Sequence, residues 1–338
     1  MYGSQTPKTE ADVWTMFDTI TAIIQLGDEI ILDVTLSFRS IPILALIAGT
    51  YLRVARQAKL KLLTYAEVTA GAYDAPLRDL TGFMNLLDWT SAADSFVRHG
   101  RFSEVNLLLE SHGADRPLLV TAAEHMSLLA RALLMTRPVL TMQTAHALTE
   151  TIRRLAAETP NNSGPFDVLL AHIKKEYDPL ALEQPLAQDQ ATRREVLDRT
   201  LRMVKWYLDK DLPINAMTLA REWLVSIVVY YQNGDLFDDR RSFGRGAPGA
   251  RERAEELINR GTPATLPRDD PLYQMLPKIQ SLWKRVAEDP TFQQAADLRN
   301  DLAHAGMRRQ ARHPDAIAEA VRGICHQLED FLRPPPEE

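Results

Sequence analysis

Two side chains late in the sequence have the chemistry to cleave RNA without a metal ion. Arg299 and His304 flank four residues in the string RNDLAH, residues 299–304. An imidazole with a pKa near neutrality can take a proton from a ribose 2′-hydroxyl as its oxygen attacks the adjacent phosphorus, or return one to the leaving oxygen. A guanidinium can hold the phosphate and stabilise its developing charge. Asn300 can orient the histidine or bind a phosphate oxygen.

The same string is expected to lie on a helix that ends at about His304. Leu298 and Leu302 belong to one apolar stripe, whereas Asn300 and His304 lie on the opposite face. Arg299 lies between the two faces, so one helix does not direct both candidate groups to one point. A long arginine or a second chain would have to close the gap. Chance spacing, with the helix dipole favouring a histidine near the helix end, is the structural alternative.

A second candidate site follows the first predicted strand, residues 29–35 (EIILDVT). Asp33 and Thr35 close that strand, and Arg39 could bind a phosphate at the N-terminus of the helix predicted over residues 38–57. A structural interpretation stays open, in which a buried strand is followed by a helix that Thr35 or Ser37 caps.

Predicted elements alternate over residues 1–88. A helix over residues 12–26 comes first, and two further strands are predicted over residues 60–68 and 76–80. This order predicts a right-handed parallel strand–helix–strand unit. The segment looks incomplete, because a doubly wound domain usually opens with a strand and a tight glycine-containing turn.

The rest of the chain is almost purely helical in pattern from Leu86 onward. Helices are predicted, among others, over residues 117–136, 193–209, 213–231 and 314–332. The predicted fold class is therefore mostly α with an N-terminal α/β segment.

Composition bounds the function more loosely. The 338 residues suggest two or three folding units, and the net charge of −6 gives no support for broad nucleic-acid affinity. RNA binding would need local basic patches, and the candidates are Arg240 and Arg241 with Arg245, and Arg308 and Arg309 with Arg312. The single cysteine, Cys325, excludes an internal disulfide and agrees with a cytoplasmic location. Neither a signal peptide nor a membrane-spanning run is expected, and scattered histidines predict no metal site.

Several segments resemble one family of proteins. Residues 299–308 (RNDLAHAGMR) resemble the active-site helix of HEPN ribonucleases, and more narrowly of the CRISPR-associated type III ancillary ribonucleases that join a CARF sensor domain to a HEPN domain. Residues 205–226 resemble the first long HEPN helix pair, and residues 77–100 the segment that leaves the sensor domain. Residues 32–52 resemble the strand, turn and helix that carry the family's Asp-x-Thr-His-Gly signature.

The signature is altered in this chain. Asp33 and Thr35 match it, but Leu36 and Ser37 stand where the family has histidine and glycine. Serine and leucine restrict the close approach of backbone N–H groups to a phosphate that glycine would allow.

The resemblance implies a three-part organisation and an activity. A partial Rossmann-like CARF domain would occupy residues 1–88, a helical connector residues 89–192 and an all-helical HEPN domain residues 193–338. Homodimers or higher oligomers would bring two Arg-x4-His motifs into one composite site that cleaves single-stranded RNA by 2′-hydroxyl transesterification, without a metal or other cofactor. The residues carried over for catalysis are Arg299, Asn300 and His304.

The resemblance also implies partners. The allosteric activator would be cyclic oligoadenylate, with tetra-adenylate favoured, bound at the sensor dimer cleft, whereas neither DNA nor a membrane is implied. Ligand contacts carry over to Asp33, Thr35, Ser37, Phe38 and Arg39. Arg308 and Arg309 could draw in RNA phosphates, and a solvated basic turn explains them equally well.

Two other functions remain open on the sequence. The altered signature also fits a catalytically silent sensor or scaffold that binds cyclic oligoadenylate or a CRISPR complex subunit. An ungated ribonuclease that a partner protein controls is the third interpretation.

Overall fold

The computed structural model describes residues 9–35, 41–67, 75–101, 117–158, 165–242, 247–283, 298 and 313–332. The chain divides into two compact units, Met1–Thr90 and Ser91–Glu338. Over these residues it is mostly helical with one small sheet near the N-terminus, which confirms the predicted fold class at that level. The assignment of sensor, connector and HEPN domains stays a prediction.

Over its described residues, the first unit contains two helices, three strands and about the first half of a third helix. In chain order these elements are α1 (Glu10–Ile23), β1 (Glu29–Asp33), α2 (Ile41–Ala55), β2 (Lys59–Ala66), β3 (Leu77–Asp79) and α3 (Thr81–His99), the last of which continues into the second unit.

The second unit is helical in the residues described. Its α-helices are α4 (Pro117–Leu134), α5 (Pro138–Glu158), α6 (Pro165–Tyr177), α7 (Gln190–Asp209), α8 (Pro213–Tyr231), α9 (Ala250–Arg260), α10 (Pro271–Trp283) and α11 (Pro314–Leu328). Short 3-10 helices cover Asp178–Leu180, Pro263–Thr265 and Glu329–Leu332.

The sheet has the strand order β1-β2-β3. Strands β1 and β2 are parallel, as predicted, whereas β2 and β3 are antiparallel. The prediction that β1 is a buried strand is wrong, because only Ile30 is buried and Ile31 is 67% exposed. Parallel strands are buried on both sides only where other elements cover both faces of the sheet. In β1, only the side chains that face the core are covered, and those on the opposite face are exposed.

Helix α2 covers the inner face of this sheet. Ala48 and Leu52 are buried there, and Leu52 packs in one cluster with Ile30. Gly49 permits the close approach, since a Cβ at that position would lie 3.1 Å from the Leu32 side chain. On another side, the Arg53 guanidinium donates to both carboxylate oxygens of an aspartate in α3, at 2.6 and 2.8 Å.

Helix α8 is the centre of the second unit. It packs against α7, α9, α10 and α11. Its buried apolar residues extend around most of the helix rather than along one stripe, whereas Ile214 and Thr218 near its start are exposed. Trp223 is fully buried, and its indole N–H donates to the Leu197 carbonyl of α7 at 2.9 Å. The predicted helix over residues 213–231 is confirmed.

Helix α4 is long and apolar enough to cross a membrane by length and composition. The sequence analysis predicted no apolar run long enough to span a membrane, and α4 is an exception to that prediction. Its buried residues include Met126 and Leu129, and the helix packs along α5. A buried core helix has the same composition, so the observation is weak support for a membrane span.

Candidate functional site

The string RNDLAH lies entirely outside the described residues. Arg299, Asn300, His304, Arg308 and Arg309 all fall there, so their arrangement stays a prediction. The residue before the string, Leu298, is helical and fully buried. That burial confirms, at one position, the apolar stripe predicted for this segment.

Both flanks of this segment are anchored to the helical unit. Before it, the indole N–H of Trp283 donates to Asn259 at 3.0 Å, and the Arg221 guanidinium lies 4.9 Å from the ring centroid. After it, the Nδ1 atom of His313 accepts from the Asp315 N–H at 3.3 Å and caps α11, which packs on α7 and α8. The described helices on either side, α10 and α11, are therefore held within the helical unit.

A network of ion pairs joins α8, α9 and the loop between them. Arg251 bonds to Glu222 at 2.6 Å, and Arg241 makes two bonds to Glu255 at 2.7 and 3.2 Å. The Arg241 hydrogen bond lowers the pKa of Glu255, although partial burial opposes the shift. These carboxylates hold the guanidinium groups in place and cancel their charge.

These ion pairs reduce the positive charge of the basic patch suggested at Arg240, Arg241 and Arg245, and as a site for RNA phosphates the patch stays a prediction, because Arg245 lies outside the described residues. Arg240 binds both oxygens of Asp238, at 2.7 and 2.9 Å, and Arg241 is bound to Glu255. The sequence analysis considered the arginines without the carboxylates that pair with them. The alternation of arginine and glutamate in residues 251–256 was the available signal.

Tyr230 and Tyr231 are half-buried and have structural partners. The Arg193 guanidinium lies 5.9 Å from the centre of the Tyr230 ring. The Tyr231 hydroxyl donates to the Phe331 carbonyl at 3.2 Å, and burial raises its pKa. These contacts place both tyrosines in the packing of the helical unit.

The second candidate site lies at the carboxyl end of β1. The Thr35 hydroxyl donates to Oδ1 of Asp33 at 2.5 Å, and the Thr35 N–H donates to the same oxygen at 2.9 Å. The Ala66 N–H, at the end of β2, donates to the Thr35 hydroxyl at 2.7 Å. Thr35 thus ties the two parallel strands together, and the alternative in which Thr35 or Ser37 caps the following helix stays a prediction, because residues 36–40 lie outside the described residues. Ser37, Phe38 and Arg39 lie outside the described residues.

These bonds divide the chemical roles of Asp33 and Thr35. The hydroxyl of Thr35 has given its one proton to Asp33 and accepts from Ala66, so it has little capacity left for a ligand. The Oδ2 atom of Asp33 has no hydrogen-bond partner in the part of the chain described. The two bonds from Thr35 lower the pKa of the Asp33 carboxyl, which keeps it ionised. This carboxylate can accept from hydroxyl or amino groups at the edge where open α/β sheets bind ligands.

No group of three or more metal-ligating side chains lies within the described ranges. His125 is one of the scattered histidines, and its Nδ1 atom is 3.2 Å from the Thr151 hydroxyl. Burial lowers its pKa. Its neighbour on α5 gives it a structural role in the α4–α5 pair.

Comparison with curated proteins relates part of the chain to a protein of known class. Over 109 residues it is 31% identical to the CRISPR-associated protein MJ1674 of Methanocaldococcus jannaschii. The similarity links the chain to CRISPR-associated proteins. The matched stretch is 31% of this chain and 17% of that protein, so the chain spans only a small part of its relative. No protein-family model matches the chain.

Proposed function

We propose that the chain is a metal-independent endoribonuclease of type III CRISPR defence that cleaves single-stranded RNA. The observation that carries the proposal is the string RNDLAH at residues 299–304, in a chain similar to a CRISPR-associated protein. The anchored helical unit around α8 supports it, because catalytic groups need a rigid base.

The reaction needs one base, one acid and one anion-binding group. His304 takes the proton of the ribose 2′-hydroxyl while its oxygen bonds to the adjacent phosphorus. The bond from phosphorus to the 5′-oxygen breaks, and that oxygen leaves as a hydroxyl after it takes a proton from the imidazolium form of His304. The products are a 2′,3′-cyclic phosphate and a 5′-hydroxyl. Arg299 holds the phosphate oxygens, and Asn300 orients the imidazole.

The proposed site is composite. On the predicted helix, His304 follows Arg299 by five positions, which would place their side chains about 140° apart around the helix axis. A twofold axis between two copies of the motif lets both pairs reach one phosphate. The active form is therefore a homodimer or a higher oligomer.

The proposed activator is cyclic oligoadenylate, with tetra-adenylate favoured. At the carboxyl end of β1, the Asp33 carboxylate would accept from ribose hydroxyls or adenine amino groups. Ser37, Phe38 and Arg39 follow directly, and they offer a hydroxyl, a stacking ring and a phosphate partner. Thr35 contributes by holding Asp33 rather than by contact with the ligand.

The test is RNA cleavage in EDTA, with and without cyclic tetra-adenylate. Cleavage that depends on the ligand and is lost in His304→Ala and Arg299→Ala supports the proposal. Cleavage at the same rate without the ligand supports the ungated ribonuclease. RNA that stays intact under every condition contradicts the enzyme, and tight binding of the ligand in that case supports the silent sensor. His326→Ala, an exposed histidine on α11, is the matched control.

A further inference from the structure

The outer side of α2 carries a row of exposed apolar side chains. Ile43, Ile47, Tyr51 and Val54 are 62%, 55%, 52% and 84% exposed. Their spacing of four, four and three residues places them on one side of the helix, opposite the side that packs on the sheet. These four residues are called the apolar face of α2.

The apolar face of α2 continues onto α1 through aromatic contacts. The Tyr51 ring lies 5.4 Å from the ring of Phe17, which lies 5.9 Å from the ring of Trp14. Trp14 is 60% exposed. With the four residues of α2 it presents on the order of 500 Å² of apolar surface, since an aromatic side chain alone buries about 150–250 Å². Two such surfaces reach the roughly 1,000 Å² that a specific interface needs.

Charge decides which occupant fits. The one charged residue of α2, Arg53, is bonded to Asp88 at 2.6 and 2.8 Å. The four residues of the apolar face of α2 therefore bring no charge into a contact with their own copy. Helix α1 carries only acidic charges, Glu10, Asp12 and Asp18, and these disfavour an anionic membrane surface. Thr50, beside the row, donates its hydroxyl to the Leu46 carbonyl at 2.9 Å and so tolerates the loss of water.

We propose that the apolar face of α2 packs against the same face of a second copy of this chain around a twofold axis. A self-complementary patch is what such an axis requires. The proposal specifies one contact surface of the homodimer proposed above. It rests on that homodimer and does not depend on the ribonuclease activity. Its tests use no RNA, so its failure is distinguishable from failure of the ribonuclease.

The first test is the oligomeric state of the full chain by sedimentation equilibrium. Ile47→Glu combined with Val54→Glu is expected to weaken self-association at least about tenfold, because two charges would be buried in the contact. The control is Ile214→Glu combined with Val168→Glu, since these residues are of the same types and are 56% and 65% exposed on α8 and α6. Control chains should associate as the wild type does. A monomeric wild type, or equal weakening in both pairs, overturns the proposal.

The second test places a thiol on the apolar face of α2. It detects the contact directly and does not rely on a loss of self-association. Thr50→Cys is expected to give a covalent dimer with a short bis-maleimide. Thr218→Cys is the control, because Thr218 is also exposed and also donates its hydroxyl to a carbonyl four residues earlier, at 2.8 Å. Cys325 is buried, and burial raises its thiol pKa to about 12, so it stays unreactive. No crosslink at position 50 overturns the proposal, as does binding of the wild type to anionic vesicles that Ile47→Glu removes.

Discussion

The hydroxyl of Thr35 donates a hydrogen bond of 2.5 Å to the carboxylate of Asp33, across the end of β1. The same hydroxyl accepts the Ala66 N–H from β2. Asp33 and Thr35 both have polar side chains at the sheet edge where a ligand is expected. The hydroxyl of Thr35, however, already makes its hydrogen bonds within the fold. The proposed ligand site therefore depends on Asp33 for contact and on Thr35 for position.

Replacement of Thr35 by valine removes both bonds of its hydroxyl at nearly constant volume. We expect the bond to Ala66 to be worth about 1 kcal/mol, so its amide hydrogen should exchange roughly fivefold faster. Thr35→Ser keeps the hydroxyl and should keep the protection. Hydrogen exchange of the Ala66 amide followed by NMR measures both. Equal protection in the valine and serine variants would contradict the tie between the strands.

The Asp33 carboxyl is expected to titrate below its usual value of 3.8, because the two hydrogen bonds from Thr35 favour its charged form. A lowered pKa in the folded chain contributes stability above the unfolded value, and this contribution is lost as the pH falls through the folded value. Loss of stability between about pH 5 and pH 3 should thus be smaller in Asp33→Asn than in the wild type. A direct NMR titration should also show the pKa rising in Thr35→Val. An unshifted value in both proteins would refute the assignment.

Gly100 and Trp206 are in a contact that no other residue type permits at position 100. The glycine has φ of +63°, and a Cβ there would lie 2.4 Å from the indole ring of Trp206. Gly100→Ala should therefore lower the free energy of unfolding by about 2–4 kcal/mol, through backbone strain together with overpacking. Urea denaturation followed by tryptophan fluorescence measures the change. An unchanged midpoint would mean that the ring is not packed there.

Gly323 lies inside α11 and provides the opposite case for the same substitution. A Cβ at this position meets no atom within 4 Å. Gly323→Ala should stabilise the chain by about 0.5–1 kcal/mol, because alanine loses less backbone entropy in a helix than glycine does. The midpoint of urea denaturation should rise. A fall would indicate that another surface covers this side of α11.

Replacement of His304 by alanine should slow RNA cleavage by about 10²–10⁴-fold if the imidazole is the general base or acid. Circular dichroism and the thermal midpoint should stay unchanged, since the predicted face of His304 is opposite the buried side that contains Leu298. A cleavage rate within a few-fold of the wild type would remove His304 from the mechanism. Circular dichroism and the thermal midpoint also show whether a lower cleavage rate comes from a loss of the fold.

Local patterns were sufficient for much of the fold. The apolar periodicity of residues 213–231 predicted α8, and the strand–helix–strand spacing predicted the parallel pairing of β1 with β2. Leu298 is buried as its place in the predicted stripe required. These predictions succeed because helix and strand periods depend on residues a few positions apart.

The sequence by itself determined the chemical string at residues 299–304, the mostly helical class and the position of Asp33 at a strand end. Only the tertiary structure decided which polar groups are already used. Arg241 is cancelled by Glu255, and Thr35 is bound to Ala66 on another strand. The tertiary structure also leaves the apolar face of α2 exposed. Such pairings join residues far apart in the chain, and the pattern of neighbouring residues carries no record of them.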